Sequence, residues 1–333
     1  MLDVTDTGID SDGGDAPSCA VCVLAYNEEQ NMGSTLRAIL RGISDERVVV
    51  HLYANGCTDR TADVARVVAN WYPKLVVHEL EIASKPEAWN AGLADHEQDV
   101  LVFADGDVMP EPGVVECLRD ELWNSPRALI STCRPVPVAK GVSWQQRLVG
   151  FMQTPLHQDF VSGRFYAIKR RDIMELLAQA GYDGLPSGVT GEDGFLNLLV
   201  GPERLLVSEC RAAYKPPNLA DYCRYLARIR WQNEQLTLLL PFTYPPSVWS
   251  IVKRVVCKVR RAPNKFHVAG AIPGVVLKHA FKLFAAPQIR RAYRALGPVG
   301  INGADVLSIG TRAASTKVNM GALLTQLDGT RGQ

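Results

Sequence analysis

The sequence predicts an α/β protein built on a doubly wound, mixed but mainly parallel sheet flanked by helices. Three observations predict it. Short apolar runs rich in Val, Leu and Ala alternate with longer stretches of helical periodicity. The runs are continuous rather than alternating, as in strands covered on both faces. Polar clusters recur at their C-terminal ends, the edge where open α/β sheets bind ligands.

The elements follow in order. Met1–Pro17 is acidic and rich in Gly, Ser and Asp, and reads as a disordered tail. Ser18–Tyr26 is a first strand, and Asn27–Asn31 turns the chain into a helix with Leu36, Ile39 and Leu40 at helical spacing. Arg47–Ala54 is a second strand, followed by a turn in which Thr58 or Asp59 is placed to cap a helix over Thr61–Trp71. Lys74–Leu80 is a third strand, Lys85–Asp95 a helix and Val100–Ala104 a fourth strand. A helix over Val114–Trp123 and a strand over Ala128–Cys133 come next; Pro135–Ser162 is less regular. Ser162–Arg171 opens on a strand, Gly184–Gly191 is a glycine-rich loop, and Phe195–Leu199 is a helix. A short strand, Arg204–Val207, precedes a helix over Asp221–Leu239 that holds Arg224, Arg228, Arg230 and Trp231.

Bulk properties narrow the function. The chain has 333 residues, 47% of them hydrophobic, enough for one large core or two ordinary ones. The net charge is +1, but residues 241–333 carry 14 Lys/Arg against only Asp305 and Asp328. Such asymmetry fits either an anionic partner at the C-terminal part or a basic face packed on the acidic half. No basic-then-apolar leader is visible, and no run approaches the roughly 20 apolar residues that span a bilayer. The protein is therefore expected in the cytoplasm, soluble or peripheral at a membrane. Cys19 and Cys22 form a lone C-x-x-C inside a strand, where residues three apart face opposite ways and oppose joint ligation. Buried free thiols of a reducing compartment are the expectation.

Chemistry concentrates after the fourth strand. Asp105-Gly106-Asp107 offers two hard carboxylate ligands for Mn²⁺ or Mg²⁺, with a glycine that lets the backbone approach a ligand closely. Neither G-x-G-x-x-G nor G-x-x-x-x-G-K-[ST] occurs, so a bound diphosphate must be held another way. An isolated D-x-D is an ordinary turn. Its place at the end of a buried strand, beside Tyr26-Asn27-Glu28 and Asn55-Gly56 on the same edge, favours a metal–diphosphate site.

The ordered set Ala25-Tyr-Asn-Glu28, Asn55-Gly-Cys-Thr-Asp59, Ser84–Leu93 (SKPEAWNAGL), Ala104-Asp-Gly-Asp107, Gly191-Glu-Asp193 and Arg228-Ile-Arg-Trp231 resembles a family 2 glycosyltransferase of GT-A fold over about Ser18–Leu236. The resemblance implies an inverting, metal-dependent enzyme that moves a single sugar from a nucleotide-sugar donor. It implies that Ala25, Tyr26, Asn27, Glu28 and Asn55 line the donor pocket, with Lys85, Asn90, Asp105 and Gly106 beside the nucleotide. Asp105 and Asp107 would hold the metal. Asp193 would be the general base, with Glu192 as its alternative, and Arg228, Arg230 and Trp231 would lie near the diphosphate and acceptor. A catalytic domain over residues 18–240 is implied, with a nucleotide half over 18–113 and an acceptor half over 114–240.

Departures from the family pattern mark its limits. Ala54 stands where an aspartate often reads uracil, so a UDP-sugar is the expected donor without that contact. Ala227, with Arg228 beside it, stands where the family usually has Gln or Arg three residues before the arginine of the Arg-Trp pair. Many relatives continue into membrane helices and this sequence does not, which speaks against processive extrusion of a polymer. The alternative from another class is a non-catalytic GT-A-like protein that binds a nucleotide or anion.

Residues 241–333 carry no motif and read as a basic, mostly helical extension. Val252–Arg261 and Val276–Leu296 alternate apolar and basic residues in a helical manner. Basic amphipathic helices bind anionic membranes and also pack ordinary domains. Gly297–Gln333 reads as loop or tail.

Overall fold

The computed structural model describes residues 16–138, 140–154, 158, 160–239 and 265–297. Strands β1 (Cys19–Ala25), β2 (Val49–Asn55), β3 (Leu75–Leu80) and β4 (Val100–Asp105) alternate with helices α1 (Glu29–Gly42), α2 (Thr61–Ala69) and α3 (Lys85–Ala94). Then follow β5 (Val108–Pro110), α4 (Val114–Trp123), β6 (Ile130–Pro137), α5 (Trp144–Gln153), β7 (Phe165–Lys169), α6 (Arg170–Gln179), α7 (Glu192–Val200), β8 (Leu205–Tyr214) and α8 (Leu219–Leu239). Two further helices, α9 (Lys265–Phe284) and α10 (Ala286–Ala295), complete the described chain.

The strands form one sheet in the order β3-β2-β1-β4-β7-β6-β8-β5. The first four are parallel to one another, β7 runs antiparallel between β4 and β6, and β8 is parallel to β6 and antiparallel to β5. The two-residue period of a strand divides β1 between two cores. Cys19, Val21, Val23 and Ala25 enter the core under α1, α2 and α4. Ala20, Cys22 and Leu24 enter the opposite core, with Trp89 of α3 and Phe195 of α7. Cys19 and Cys22 thus lie on opposite faces, both buried. In the second core the rings of Trp89, Phe103 and Tyr166 stack in series at 5.1 and 5.7 Å.

Several elements differ from the sequence expectation. The irregular stretch after β6 contains α5, started by a capping box between Ser143 and Gln146. Strand β8 runs to Tyr214, because pairing with both β6 and β5 extends it past the apolar run. Helix α2 is preceded by Arg60 at its N-cap, not Thr58 or Asp59; Asp59 instead accepts from the Thr61 and Glu29 backbone N–H groups. The expectation of free thiols holds for Cys19, Cys22, Cys57, Cys133 and Cys223 but is corrected at one pair. Cys117 of α4 and Cys210 of β8 are joined in a disulfide, a pairing that only the packing of α4 on β8 reveals. The tail before residue 16, the segment Val252–Arg261 and all of 298–333 lie outside the described residues. Among the described residues no helix is long and apolar enough to cross a membrane.

On the outer part of the sheet, away from the polar loops, His51 Nδ1 and His78 Nε2 share a hydrogen bond of 3.0 Å. The His51 ring meets that of His96 edge-on at 4.2 Å, and the Tyr53 hydroxyl donates to Asp95 at 3.0 Å. Burial, reinforced by His96 and His78 and opposed by Asp95, pushes His51 down to about 4. A histidine depressed in the folded state contributes stability that is present above its unfolded pKa and lost as pH falls below it. Glu28, which burial raises to about 7, acts in the opposite sense, so the test must be a difference. In denaturant titrations, His51→Gln should gain stability relative to the parent as pH drops from about 7 to about 5. A pH-independent difference would show that His51 does not titrate on unfolding in this range.

Candidate active site

The polar loops meet at the carboxyl edge of the parallel strands. At the end of β1, Asn27 adopts a positive φ of 54°, a conformation its short polar side chain tolerates. Its side-chain oxygen accepts from the Thr58 backbone at 2.8 Å, tying the β1–α1 turn to the β2–α2 loop. Glu28 N–H donates to the Thr61 hydroxyl at 2.7 Å, and the Glu28 carboxylate accepts from the Asn31 amide at 2.7 Å. Asn27 therefore shapes the loop, and the half-buried Tyr26 and Glu28 stand at its rim. Ala25 and Asn55 are buried beneath them.

The D-G-D turn is held on both sides. Asp105 N–H donates to the Arg164 carbonyl at 2.8 Å, and Gly106 N–H to the Leu24 carbonyl at 3.0 Å. Beyond the turn, Val108 pairs with Tyr214 of β8. Gly106 is packed so tightly that a Cβ there would lie 3.0 Å from the Ala25 Cβ and 3.0 Å from the Met32 Cε. Asp107 is pushed up by burial and by the neighbouring Asp105 charge, against the pull of Arg164 and Lys85. The Arg164 guanidinium itself lies 3.9 Å from the centre of the Tyr214 ring.

Lys85 ties this turn to the second half of the chain. Its ammonium lies 2.5 Å from Asp105 Oδ1 and 2.5 Å from Glu192 Oε1, and donates to the Gly163 carbonyl at 3.3 Å. Burial opposes the Lys85 charge, but the Asp105 and Glu192 carboxylates outweigh it and hold the lysine well above its usual range. Lys85 opens α3 behind an N-cap Ser84, whose hydroxyl accepts from Glu87 N–H. A cation at a helix N-terminus opposes the macrodipole, so its carboxylate partners account for its place there. Glu192 and Asp193 open α7 in the favourable sense. The Glu192 carboxyl is raised by burial and by Asp193 and Asp105, against the nearby lysine.

The loop that leads into α7 is pinned at both ends. Asn90 makes a reciprocal pair with Leu185, donating at 2.9 Å and accepting at 2.7 Å. From α8, Gln235 donates to the Gly188 carbonyl at 2.7 Å, and Gln232 to the Gly191 carbonyl at 3.4 Å. Asn90 thus positions the loop through both ends of its carboxamide.

The structure brings Glu28, Lys85, Asp105, Asp107, Glu192 and Asp193 into one neighbourhood, linked by contact or mutual electrostatic influence. It does not bring Arg230 or Trp231 there. Arg230 pairs with Glu234 at 3.1 Å and lies over the Tyr293 ring at 4.6 Å. Trp231 is buried against Leu296. Arg228 is exposed and near the Tyr225 ring, whose hydroxyl feels both Asp193 and Arg164. Sequence reasoning missed Gly163, Arg164 and Tyr214. They belong to no motif, and only the pairing of β4 with β7 and of β5 with β8 places them here.

The donor set suits a hard divalent cation. Asp105 and Asp107 offer carboxylate oxygens on one turn, and the carboxylates of the site outnumber the cations Lys85 and Arg164 that face them. Among the described residues these two do not belong to a closed cluster of three converging ligands. An open pair of this kind matches Mn²⁺ or Mg²⁺, which keep waters and take substrate phosphate oxygens as ligands.

The family described as Glycosyltransferase like family 2 matches residues 16–198. The chain belongs to this family. It is a glycosyltransferase. Among solved structures, a mannosyltransferase from Pyrobaculum calidifontis in complex with GDP-Man and Mn²⁺ has a TM-score of 0.48 at 18% identity, covering 94% of this chain and 80% of its own. Glucosyl-3-phosphoglycerate synthase from Mycobacterium tuberculosis, in complex with Mn²⁺, UDP and glucosyl-3-phosphoglycerate, gives 0.45 at 20% identity, covering 67% and 78%. No curated protein matches the chain.

Gly163 lies hard against the two carboxylates that open α7. A Cβ on it would lie 3.0 Å from Glu192 Oε1 and 3.1 Å from Asp193 Cγ. Its φ lies outside the left-handed region, so alanine is tolerated by the backbone and felt only by those side chains. Gly163→Ala should leave the melting temperature within a few degrees and lower glycosyl transfer several-fold, because the two carboxylates must give by a few tenths of an ångström, less than the ångström shift that costs about 100-fold. Wild-type turnover in this variant would show that Glu192 and Asp193 need not hold these positions.

Proposed function

We propose that this glycosyltransferase moves a single sugar from a nucleotide-sugar donor to an acceptor nucleophile with inversion at the anomeric carbon. The observation that carries the reading is the Lys85 bridge. It sets the D-G-D turn at the end of β4 beside the Glu192-Asp193 pair at the start of α7. A diphosphate group and an acceptor base are needed side by side for one in-line displacement, and this bridge supports that adjacency.

In this reading Asp193 takes the proton from the acceptor nucleophile as that atom attacks the anomeric carbon and the bond to the nucleotide diphosphate breaks. The backbone around it fixes its position: its carboxylate accepts from Gly194 N–H at 2.8 Å, and its carbonyl accepts from the Asn197 amide at 2.7 Å. Glu192 is committed to Lys85 and serves as the positioning partner. Asp105 and Asp107 would hold the cation, Mn²⁺ or Mg²⁺, which when bound supplies charge neutralisation for the departing diphosphate. Tyr26 and Glu28 border the donor's nucleoside, and Asn90 lies beside it and fixes the loop that leads into α7. A UDP-sugar is the expected donor, with Ala54 buried and unable to accept from the base. Arg228 stands on the face of α8 toward Tyr225 and is the arginine of that helix best placed for the diphosphate or acceptor.

The test combines donor-turnover assays with metal removal. Chelation should abolish transfer and added Mn²⁺ or Mg²⁺ restore it, and Asp107→Asn should abolish the restoration. Asp193→Asn should lower kcat by about 10²–10⁴-fold with little change in donor KM, as expected for loss of a general base. Glu192→Gln, which keeps the shape and removes the charge beside Lys85, should be milder. Full activity in Asp193→Asn, or a larger loss in Glu192→Gln, would move the base from Asp193 to Glu192.

A further inference from the structure

Helices α9 and α10 turn against each other at Ala285, and both pack back on the catalytic domain. Leu277 and Phe281 of α9 enter a small core with Val149, Met152 and Tyr222, where the Phe281 and Tyr222 rings lie 5.6 Å apart. Ile289, Ala292 and Tyr293 of α10, with Leu296 at its C-cap, repeat at helical spacing against Ala227 and Trp231 of α8. These contacts satisfy the inward faces. Leu283 and Phe284, at the corner between the helices, are left 80% and 83% exposed.

The charge around that corner has one sign. Lys282 adjoins it, and Arg290, Arg291 and Arg294 occupy the exposed face of α10. From Lys265 to Gly297 the chain contains no Asp or Glu. Among the described residues no carboxylate forms an ion pair with Lys282, Arg290, Arg291 or Arg294.

The geometry points to this corner as a docking surface for an anionic lipid membrane. Two large apolar side chains project at the tip, and cations flank them. A lipid interface accepts both parts, taking apolar groups at the acyl boundary and pairing cations with headgroup phosphates. Nucleic acid would engage the arginines and leave Leu283 and Phe284 in water. A second copy of the chain, covering the two side chains across a two-fold axis, would bring two basic faces together. The inference does not depend on the assignment of the catalytic base or the metal.

The full chain is floated through a density gradient with vesicles of phosphatidylcholine alone, or of phosphatidylcholine mixed with phosphatidylglycerol. It should rise with the mixed vesicles and not with the neutral ones, and added salt should release it. Leu283→Ser with Phe284→Ser should weaken binding about 100-fold, from the loss of two inserted apolar side chains. Arg290→Gln with Arg291→Gln should weaken it about 30-fold, from the loss of two surface cations. All four positions are exposed, and unchanged donor turnover without vesicles would show both variants folded. Failure to bind either vesicle, or equal binding to both, would overturn the proposal. So would capture of a short RNA or DNA duplex that needs the arginines, is indifferent to Leu283 and Phe284, and occurs without vesicle binding.

Discussion

One ammonium group joins two carboxylates that lie 87 residues apart in the sequence. Lys85 starts α3, where the helix dipole works against it, and holds Asp105 from the end of β4 and Glu192 from the start of α7. Without a cation between them, two carboxylates this close would repel each other in a partly desolvated cleft. The local sequence is arranged to permit the bridge. Ser84 caps the helix so that the lysine sits on its first turn, and the β4–β7 pairing delivers the Gly163 carbonyl to the same ammonium. The end of β4 and the start of α7 thus meet through a charge-assisted contact as well as through apolar packing.

That contact is built on a scaffold whose pattern was easy to read. Continuous apolar runs in β1 and β4 fill cores on both faces, which fixes a sheet sandwiched by helices. The polar clusters after β1, β2 and β4 then fall on one edge because those strands are parallel neighbours. Asp105, Asp107, Glu192 and Asp193 were legible for this reason, through their places at element ends. What was not legible depends on pairing between strands distant in sequence. Gly163 and Arg164 reach the site because β7 inserts antiparallel beside β4, and Tyr214 because β8 outruns its apolar core to pair with β5. The Cys117–Cys210 disulfide belongs to the same class, since its partners are 93 residues apart. Helix α5 hid for a local reason: its start is marked by a capping box, but its apolar face is short and covered by helices from the far end of the chain.

Electrostatics accounts for much of the site's character. Glu28 is raised to about 7 by burial, with Asp107, Asp105 and Asp59 adding to the effect. Asp107 and Glu192 shift the same way for the same reasons. Burial of this kind disfavours the charged carboxylates unless positive charge is supplied. Lys85 and Arg164 provide part of it from the protein, and a divalent cation with its substrate phosphates is the natural source of the rest. The cluster would be a poor choice for stability alone, and perturbed carboxylates of this kind gather at functional sites.

Helix α8 shows why a linear motif can mislead about which side chains share a task. Arg228 and Arg230 stand two positions apart, about 200° around a helix. The first lies near the Tyr225 ring, the second faces Glu234 and Tyr293 of the C-terminal layer. Trp231 follows the second and is buried under Leu296. One and four residues further on, the buried Gln232 and Gln235 reach back to the glycine-rich loop that delivers Glu192 and Asp193. A single helix therefore holds the glycine-rich loop on one side and α10 on the other. The C-terminal helices are part of the packing that holds α8, and a surface that grips α10 would lie one helix away from the loop that leads into Glu192 and Asp193.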